Sequence, residues 1–160
     1  MFSKRNIFLQ MTIFKRTHSE DPDFKNLVVL LDRHLAILDG DDHEFYAQFD
    51  TLDNIKNVVV CYQEDVAVGC GAFKEYDANT VEIKRMFVHP DFRGKGTASA
   101  VLHALEHWAT ELNYTSFILE TGKNNPEAIA LYHKSGFAII PNYDQYENVA
   151  TSVCMKKSTL

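Results

Sequence analysis

Apolar residues recur along this chain with a helical period in three segments. The pair Asp21-Pro22 predicts the start of a helix whose apolar stripe extends from Phe24 to Leu38. The segment Ala98–Leu112 carries the clearest amphipathic pattern. A shorter helix is predicted from Pro126 to about Ser135, ahead of a glycine. Each of these helices has one apolar face to bury.

Between and beside the helices, short runs rich in β-branched and apolar residues predict strands. The runs are 12–17, 57–62, 66–76, 80–88, 116–120, 137–140 and 152–155. Short polar turns join the second, third and fourth runs, so these form a β-meander. The order is a strand, helices, the meander, and then alternating strands and helices. It is typical of an α/β domain with a mixed sheet.

The composition indicates one globular domain. A chain of 160 residues with 46% hydrophobic residues can bury a sizeable core. Its net charge of −6 disfavours nucleic acid and membranes as partners, and it has no run of about 18 apolar residues. Cys61, Cys70 and Cys154 show no paired spacing, so we expect reduced thiols in a cytoplasmic protein. Residues 1–10 are expected to be a disordered extension, and 11–160 the single domain.

The segment Val81–Ala98, VEIKRMFVHPDFRGKGTA, predicts an anion site. A strand ends at a proline, a glycine turn follows, and a helix begins, so unpaired N–H groups of the helix point outward. Gly94 and Gly96 permit positive φ and close backbone approach, while Arg93 and Lys95 add positive charge. A plain linking turn is the alternative. The spacing matches neither a P-loop nor a dinucleotide-binding fingerprint.

A second motif makes the first one specific. Asn125–Phe137 fits Asn-x-x-Ala-x-x-Leu-Tyr-x-x-x-Gly-Phe without a gap, and Arg93–Ala98 fits Arg-Gly-x-Gly-x-Ala. Together they resemble the motifs of the GNAT superfamily of acetyl-coenzyme A (acetyl-CoA)-dependent N-acetyltransferases. The runs GCGAFKEYD, VEIKRMFV and LETG are similar to a small, single-domain bacterial subgroup. The resemblance implies a mixed, mostly antiparallel sheet flanked by helices, with strands splayed at an acetyl-CoA cleft.

The resemblance also implies which residues hold acetyl-CoA. The pantetheine arm would pair with the end of the central strand, at Met86, Phe87 and Val88. Backbone N–H groups of the glycine turn would hold the pyrophosphate, at Arg93, Gly94, Lys95, Gly96, Thr97 and Ala98. Asn125 would contact the co-substrate from the opposite side, and Tyr132 would lie near the thioester sulfur.

Acetyl transfer by direct attack in a ternary complex needs a base, an oxyanion donor and an acid. Glu82, on the central strand, is the preferred base, and Glu120 is its rival. Each could instead be an ordinary polar strand residue. A strand N–H near Phe87 could stabilise the oxyanion, and Tyr132 could protonate the leaving thiolate.

The acceptor is predicted to be a small-molecule amine or a protein amine. A short helix from about residue 41 to 49 is expected to border its cleft with Tyr46, and a late loop to close it with Tyr143 and Tyr146. Lys84 and Arg85 could face an acidic group of the substrate. Homodimers are frequent in the family. The alternative function is a non-catalytic acyl-CoA sensor on the same fold.

One further pattern concerns metal. His103, Glu106 and His107 spell HxxEH, which also occurs in zinc proteases. At about 100° per residue these three side chains lie opposite the apolar face of their helix. We therefore expect them to face water and predict no metal site.

Overall fold

A computed structural model describes residues 11–44 and 55–159 of the chain. Within those ranges the strands are β1 Thr12–Thr17, β2 Asn57–Gln63, β3 Val66–Glu75, β4 Thr80–Val88, β5 Ser116–Gly122, β6 Ala138–Ile140 and β7 Ser152–Ser158. The α-helices are α1 Pro22–Asp39, α2 Thr97–Glu111 and α3 Pro126–Lys134. All of these elements are predicted by the sequence pattern to within a few residues. The expected extension at residues 1–10 lies outside the described residues.

The strands form one sheet in the order β1-β2-β3-β4-β5-β7-β6. Every neighbouring pair is antiparallel except β4 and β5, which run parallel. Their pairing covers only Thr80–Glu82 against Ser116–Ile118, although both strands continue beyond it. Past Glu82 the two strands therefore part, which confirms the predicted mixed, mostly antiparallel sheet with splayed strands.

Helices cover both faces of this sheet, and each face has its own apolar core. The stripe of α1 packs on one face through Phe24, Leu27, Val28 and Leu31. On the other face, α2 and α3 cover a second cluster that includes Phe73, Phe117, Leu102, Leu105 and Met155. The cysteines are buried and unpaired, and burial raises the pKa of Cys70 to about 12. The apolar faces predicted for the three helices thus pack on these two cores.

Strand β4 carries a β-bulge opposite Gly71. Cys70 pairs with Phe87 and Ala72 with Lys84, so the single residue Gly71 faces both Arg85 and Met86. Arg85 adopts a φ of 59°, in the left-handed region. A Cβ at Gly71 would lie 2.5 Å from the Met86 sulfur and 2.7 Å from Leu105. Only glycine at position 71 therefore leaves room for Met86 of the bulge and Leu105 of α2 to pack over it.

The bulge changes which way β4 side chains point. Ile83 and Met86 pack into the core beneath α2 and α3. Lys84 pairs with Ala72 of the α1 face, and Arg85 reaches Asp32 on α1 itself. Strict alternation would put Lys84 and Arg85 on opposite faces. The bulge instead gives the α1 face two consecutive cationic side chains.

Glu106 corrects one expectation from the sequence. It does not face water: it is buried on α2, and its two carboxylate oxygens each accept a hydrogen bond of 3.1 Å from Lys157. His107 pairs instead with Glu111, 3.1 Å away. The pattern had missed Lys157, because β7 is distant in sequence. In the described part of the chain, no helix combines the length and the apolarity that crossing a bilayer requires.

Candidate active site

A cavity of about 400 Å³ opens where β4 and β5 part. Its walls are β4, the end of β5, the C-terminal half of α1, the first turn of α2 and one face of α3. The volume falls in the range of small-molecule sites. One end of the cleft is the glycine turn before α2, and we call it the phosphate end. The other, between α1 and β4, we call the acceptor end.

The phosphate end is made of bare backbone. Gly94 and Gly96 both have a φ of 78°, and a Cβ built on either would meet no atom of the described residues within 4 Å. Gly96 is the N-cap of α2, and no described side chain caps that helix. Its first-turn N–H groups therefore point into the cleft at Thr97 and Ala98. This arrangement fits the pyrophosphate of coenzyme A.

Of the two predicted cations here, one lies in the cleft. Arg93 lines it; the Arg93 Nε donates a 2.8 Å hydrogen bond to the Val88 carbonyl, and its guanidinium lies 5.5 Å from the Phe87 ring centre. The exposed Lys95 side chain instead lies over Phe92, 5.8 Å from the ring centre. Arg93 is thus the better-placed charge for a phosphate group.

The helix α3 forms the facing wall. Asn125 caps it by accepting a 3.3 Å hydrogen bond from the Ala128 N–H, and it lines the cleft. Tyr132 is 7% exposed and also lines the cleft, with its ring 5.7 Å from that of Phe137. Burial, and secondarily the carboxylate of Glu120, raise the pKa of the Tyr132 phenol well above its usual value. The hydroxyl therefore keeps its proton at neutral pH.

Glu82 lies at the point where the strands part. It is buried and lines the cleft, and Tyr143 donates a 2.6 Å hydrogen bond to its Oε2. The ammonium of Lys84 is 3.5 Å from Oε1. Burial, and next the charge of Glu82, raise the pKa of Tyr143 far above its usual value. Glu120, on β5, lines the same cleft and is half-buried.

The sequence did not predict that α1 forms a wall of the acceptor end. Its cleft-lining residues include Leu31, His34, Leu35 and Leu38. An apolar stripe on an amphipathic helix is usually core, and nothing in the spacing showed that its C-terminal half overhangs a cavity. Asn124, in the β5–α3 loop, donates a 2.5 Å hydrogen bond to the Leu38 carbonyl and so ties that half to the facing wall.

The residues predicted to bind the acceptor do not all lie in the cleft wall. Lys84, Arg85 and Tyr146 line the cleft. Tyr143 contacts Glu82 and stacks edge-on against the Tyr146 ring, 5.9 Å away, so its place is beside the predicted base. Tyr46, and the rest of its predicted helix beyond residue 44, lie outside the described residues.

Residues 22–137, which include the three helices and both strands of the cleft, match the model of the acetyltransferase (GNAT) family. The chain belongs to the GNAT family. An IAA acetyltransferase from Azospirillum brasilense is 32% identical to this GNAT protein over 133 residues, which make up 82% of this chain and 87% of that protein.

Solved structures agree with that assignment. A Klebsiella pneumoniae protein named as an acyl-CoA N-acyltransferase superposes with a TM-score of 0.79 at 25% identity, over 94% of this chain and 99% of that one. A GNAT family acetyltransferase from Elizabethkingia anophelis, with acetyl-CoA bound, has the same fold (TM-score 0.69, 18% identity, 92% and 97% covered). This GNAT protein is therefore an acyltransferase that uses acetyl-CoA and acetylates an amine.

Proposed function

We propose that this GNAT protein transfers acetyl by direct attack of the acceptor amine on the thioester, in a ternary complex, with Glu82 as the base. The observation that carries the proposal is the position of Glu82. Its carboxylate is buried at the parting of β4 and β5, faces the cleft, and is oriented by the Tyr143 hydroxyl.

The chemistry needs few groups. An ammonium has no lone pair, so the acceptor first loses a proton, which the Glu82 carboxylate takes directly or through a water molecule. The nitrogen then bonds to the thioester carbonyl carbon, and the carbonyl electrons move to oxygen. A backbone N–H near Phe87, on the open edge of β4, is the proposed donor to that oxyanion.

Collapse of the intermediate breaks the C–S bond, and sulfur leaves with the electron pair. Tyr132 is the proposed acid, since its protonated hydroxyl lines the cleft. Glu120 stays the alternative base. It lies in the same cleft, and its charge acts on Tyr132.

The direct test is release of coenzyme A thiol from acetyl-CoA with a broad panel of amines. Thiol release should require an amine, and the acetylated amine should form in equal amount. Calorimetric binding of acetyl-CoA without turnover for any amine would contradict the proposal and favour an acyl-CoA sensor. A burst of thiol release before amine is added would contradict direct attack, because it indicates an acetyl-enzyme.

Two finer expectations from the sequence stay predictions. Assembly into a homodimer would be measured by sedimentation of the full chain at several concentrations. Residence in the cytoplasm would be measured by fractionation of cells that express it.

A further inference from the structure

We infer that the acceptor is a free α-amino acid, bound as a zwitterion with its ammonium at Glu82 and its carboxylate at Lys84 and Arg85. The inference rests on the proposed function, because it assigns the acceptor of that same cleft. It is carried by the placement of three charged side chains on one wall.

The first step is the pair of adjacent cations. The bulge brings Lys84 and Arg85 to the α1 face of the sheet, and both line the cleft. Their side chains are only 13% and 3% exposed. Placing two cations side by side away from water is costly unless anions accompany them. Glu82 and Asp32 supply carboxylates at 3.5 and 3.1 Å, and a substrate carboxylate is a group of the same kind that this wall would bind.

The second step is the spacing between Lys84 and Glu82. Residues two apart on a strand project from the same face as neighbours, and here the ammonium and the carboxylate oxygen are 3.5 Å apart. An α-amino acid carries its two charges on groups joined through one carbon. It can place its ammonium on Glu82 and its carboxylate on Lys84. Glu82 then exchanges the ammonium of Lys84 for that of the substrate, and Lys84 exchanges the carboxylate of Glu82 for that of the substrate. A simple amine would compete with Lys84 for Glu82 and supply no anion in return.

The third step is the arginine. Its Nη1 lies 3.1 Å from Asp32 Oδ1, and the Asp32 side chain is 50% exposed on α1. The buried guanidinium of Arg85 thus already contacts one carboxylate, on α1, while Arg85 also lines the cleft. A guanidinium is a planar donor group with several N–H bonds, which suits it to bind a carboxylate. The neighbouring α1 wall is apolar at Leu35 and Leu38. It offers a surface for an aliphatic or aromatic side chain of the amino acid.

The experiment compares matched acceptors with the wild-type protein. The pairs are L-leucine with 3-methylbutylamine and L-phenylalanine with 2-phenylethylamine; L-leucinamide and a lysine-containing peptide complete the panel. The value of kcat/KM, measured by thiol release at saturating acetyl-CoA, should be about 10- to 100-fold higher for each amino acid than for its amine, as expected for losing a charge-assisted contact. Leucinamide, which keeps the amine and side chain but lacks the carboxylate charge, should behave like the amines.

The outcomes separate the two proposals. If amines, leucinamide or the peptide are used as well as the amino acids, the amino-acid assignment is overturned while acetyl transfer to an amine stands. If no acceptor releases thiol, the proposed function and the inference are both overturned.

A variant pair tests the carboxylate contact itself. Lys84→Met should lower kcat/KM for leucine about tenfold more than for 3-methylbutylamine. Because the ratio is taken within one variant, a change in the folded fraction cancels. Lys134→Met, on the exposed end of α3, should leave the ratio at its wild-type value. An equal effect of Lys84→Met on both acceptors would overturn the assignment.

Discussion

The two ends of the cleft both depend on backbone at positive φ, but one uses glycine and the other arginine. At the phosphate end, Gly94 and Gly96 turn with a φ of 78°, and no atom of the described residues lies within 4 Å of a Cβ built on either. At the acceptor end, Arg85 adopts a φ of 59° while its side chain is almost fully buried. The first end presents bare backbone to a ligand, and the second presents side chains that the backbone has re-aimed.

Positive φ costs free energy at Arg85 but not at the two glycines. A left-handed residue other than glycine costs about 1–2 kcal/mol, so the surroundings of Arg85 must stabilise it. Its guanidinium pairs with Asp32, and its carbonyl accepts a 3.4 Å hydrogen bond from the Cys70 thiol. Gly94 and Gly96 need no such support, because glycine adopts this region freely. Under the proposed assignments, binding of acetyl-CoA therefore depends on backbone shape, and binding of the acceptor depends on side chains that the bulged strand β4 holds in place.

Replacing the proposed base should have the largest effect, and it should lower kcat while leaving coenzyme A binding nearly unchanged. Glu82→Gln keeps the shape of the side chain but removes its basicity, so kcat should fall by about 10²- to 10⁴-fold. The Kd of coenzyme A should stay within about twofold, since the phosphate end is untouched. Thiol release and isothermal calorimetry measure the two quantities.

Glu120→Gln is the matched variant, because it changes the other carboxylate of the same cleft in the same way. A small effect of Glu120→Gln beside a large effect of Glu82→Gln would support the assignment. The reverse result would transfer the role of base to Glu120.

Gly96→Ala should instead act at the phosphate end and weaken the binding of coenzyme A. Alanine is strained at a φ of 78°, but its Cβ would meet no described atom within 4 Å, so the melting temperature should fall by only a few degrees. The methyl group and the altered turn would keep phosphates from the N–H groups of α2, and coenzyme A affinity should fall by about 100-fold.

Gly40→Ala is a closely matched control for that change. Gly40 also has a positive φ, 53°, and open space around its Cβ among the described residues, but it ends α1 instead of beginning α2. It should show a similar loss of stability, with coenzyme A affinity unchanged. Equal affinity losses in both variants would mean that strain alone weakens binding.

Tyr132→Phe should have a more modest effect. Removing the proposed acid leaves water to protonate the thiolate, so kcat should fall by about tenfold, less than the roughly 10²- to 10⁴-fold that acid–base groups usually contribute. Coenzyme A affinity should change little, since the ring and its contact with Phe137 remain. Tyr114→Phe, a tyrosine packed on the core beside Phe73, serves as the control. Full activity of Tyr132→Phe with every amine would remove the acid role.

The sequence predicts the phosphate end far better than the acceptor end. Glycines at fixed offsets, a strand before them and a helix after them are local signals, and the turn at Gly94 and Gly96 follows from them. The strand Thr80–Val88 was also predicted with its bounds. Its bulge was not, because the pattern shows no glycine at position 85, and the glycine that permits the bulge, Gly71, lies on the neighbouring strand.

Contacts between segments that are distant in sequence were not predicted either, because no local signal indicates them. Tyr143 and Glu82 are 61 residues apart, and no spacing rule links them. The sequence suggested Tyr143 as a residue that closes the cleft on the substrate. The structure shows it in contact with the Glu82 carboxylate, and we propose that it positions that base.

The effect of Tyr143→Phe should be the smallest, and it should appear in kcat. The Tyr143 hydroxyl donates a 2.6 Å hydrogen bond to the Glu82 carboxylate, which lines the cleft, and so fixes its orientation there. Without that hydrogen bond the carboxylate is less well positioned to take the proton of the acceptor, so kcat should fall by a few-fold. The Kd of coenzyme A should stay within about twofold, because the phosphate end is untouched. Thiol release and isothermal calorimetry measure the two quantities.

Tyr62→Phe provides the control for a purely structural loss. The Tyr62 hydroxyl donates to Asp23 at 2.6 Å, the same distance and the same pair of groups, but it lies between β2 and the start of α1. Its removal should lower the melting temperature without changing kcat. If Tyr143→Phe also changes only the melting temperature, Tyr143 supports the loop rather than the base. A fall in kcat confined to Tyr143→Phe would tie acceptor-end chemistry to a side chain that reaches Glu82 from a segment 61 residues away in sequence.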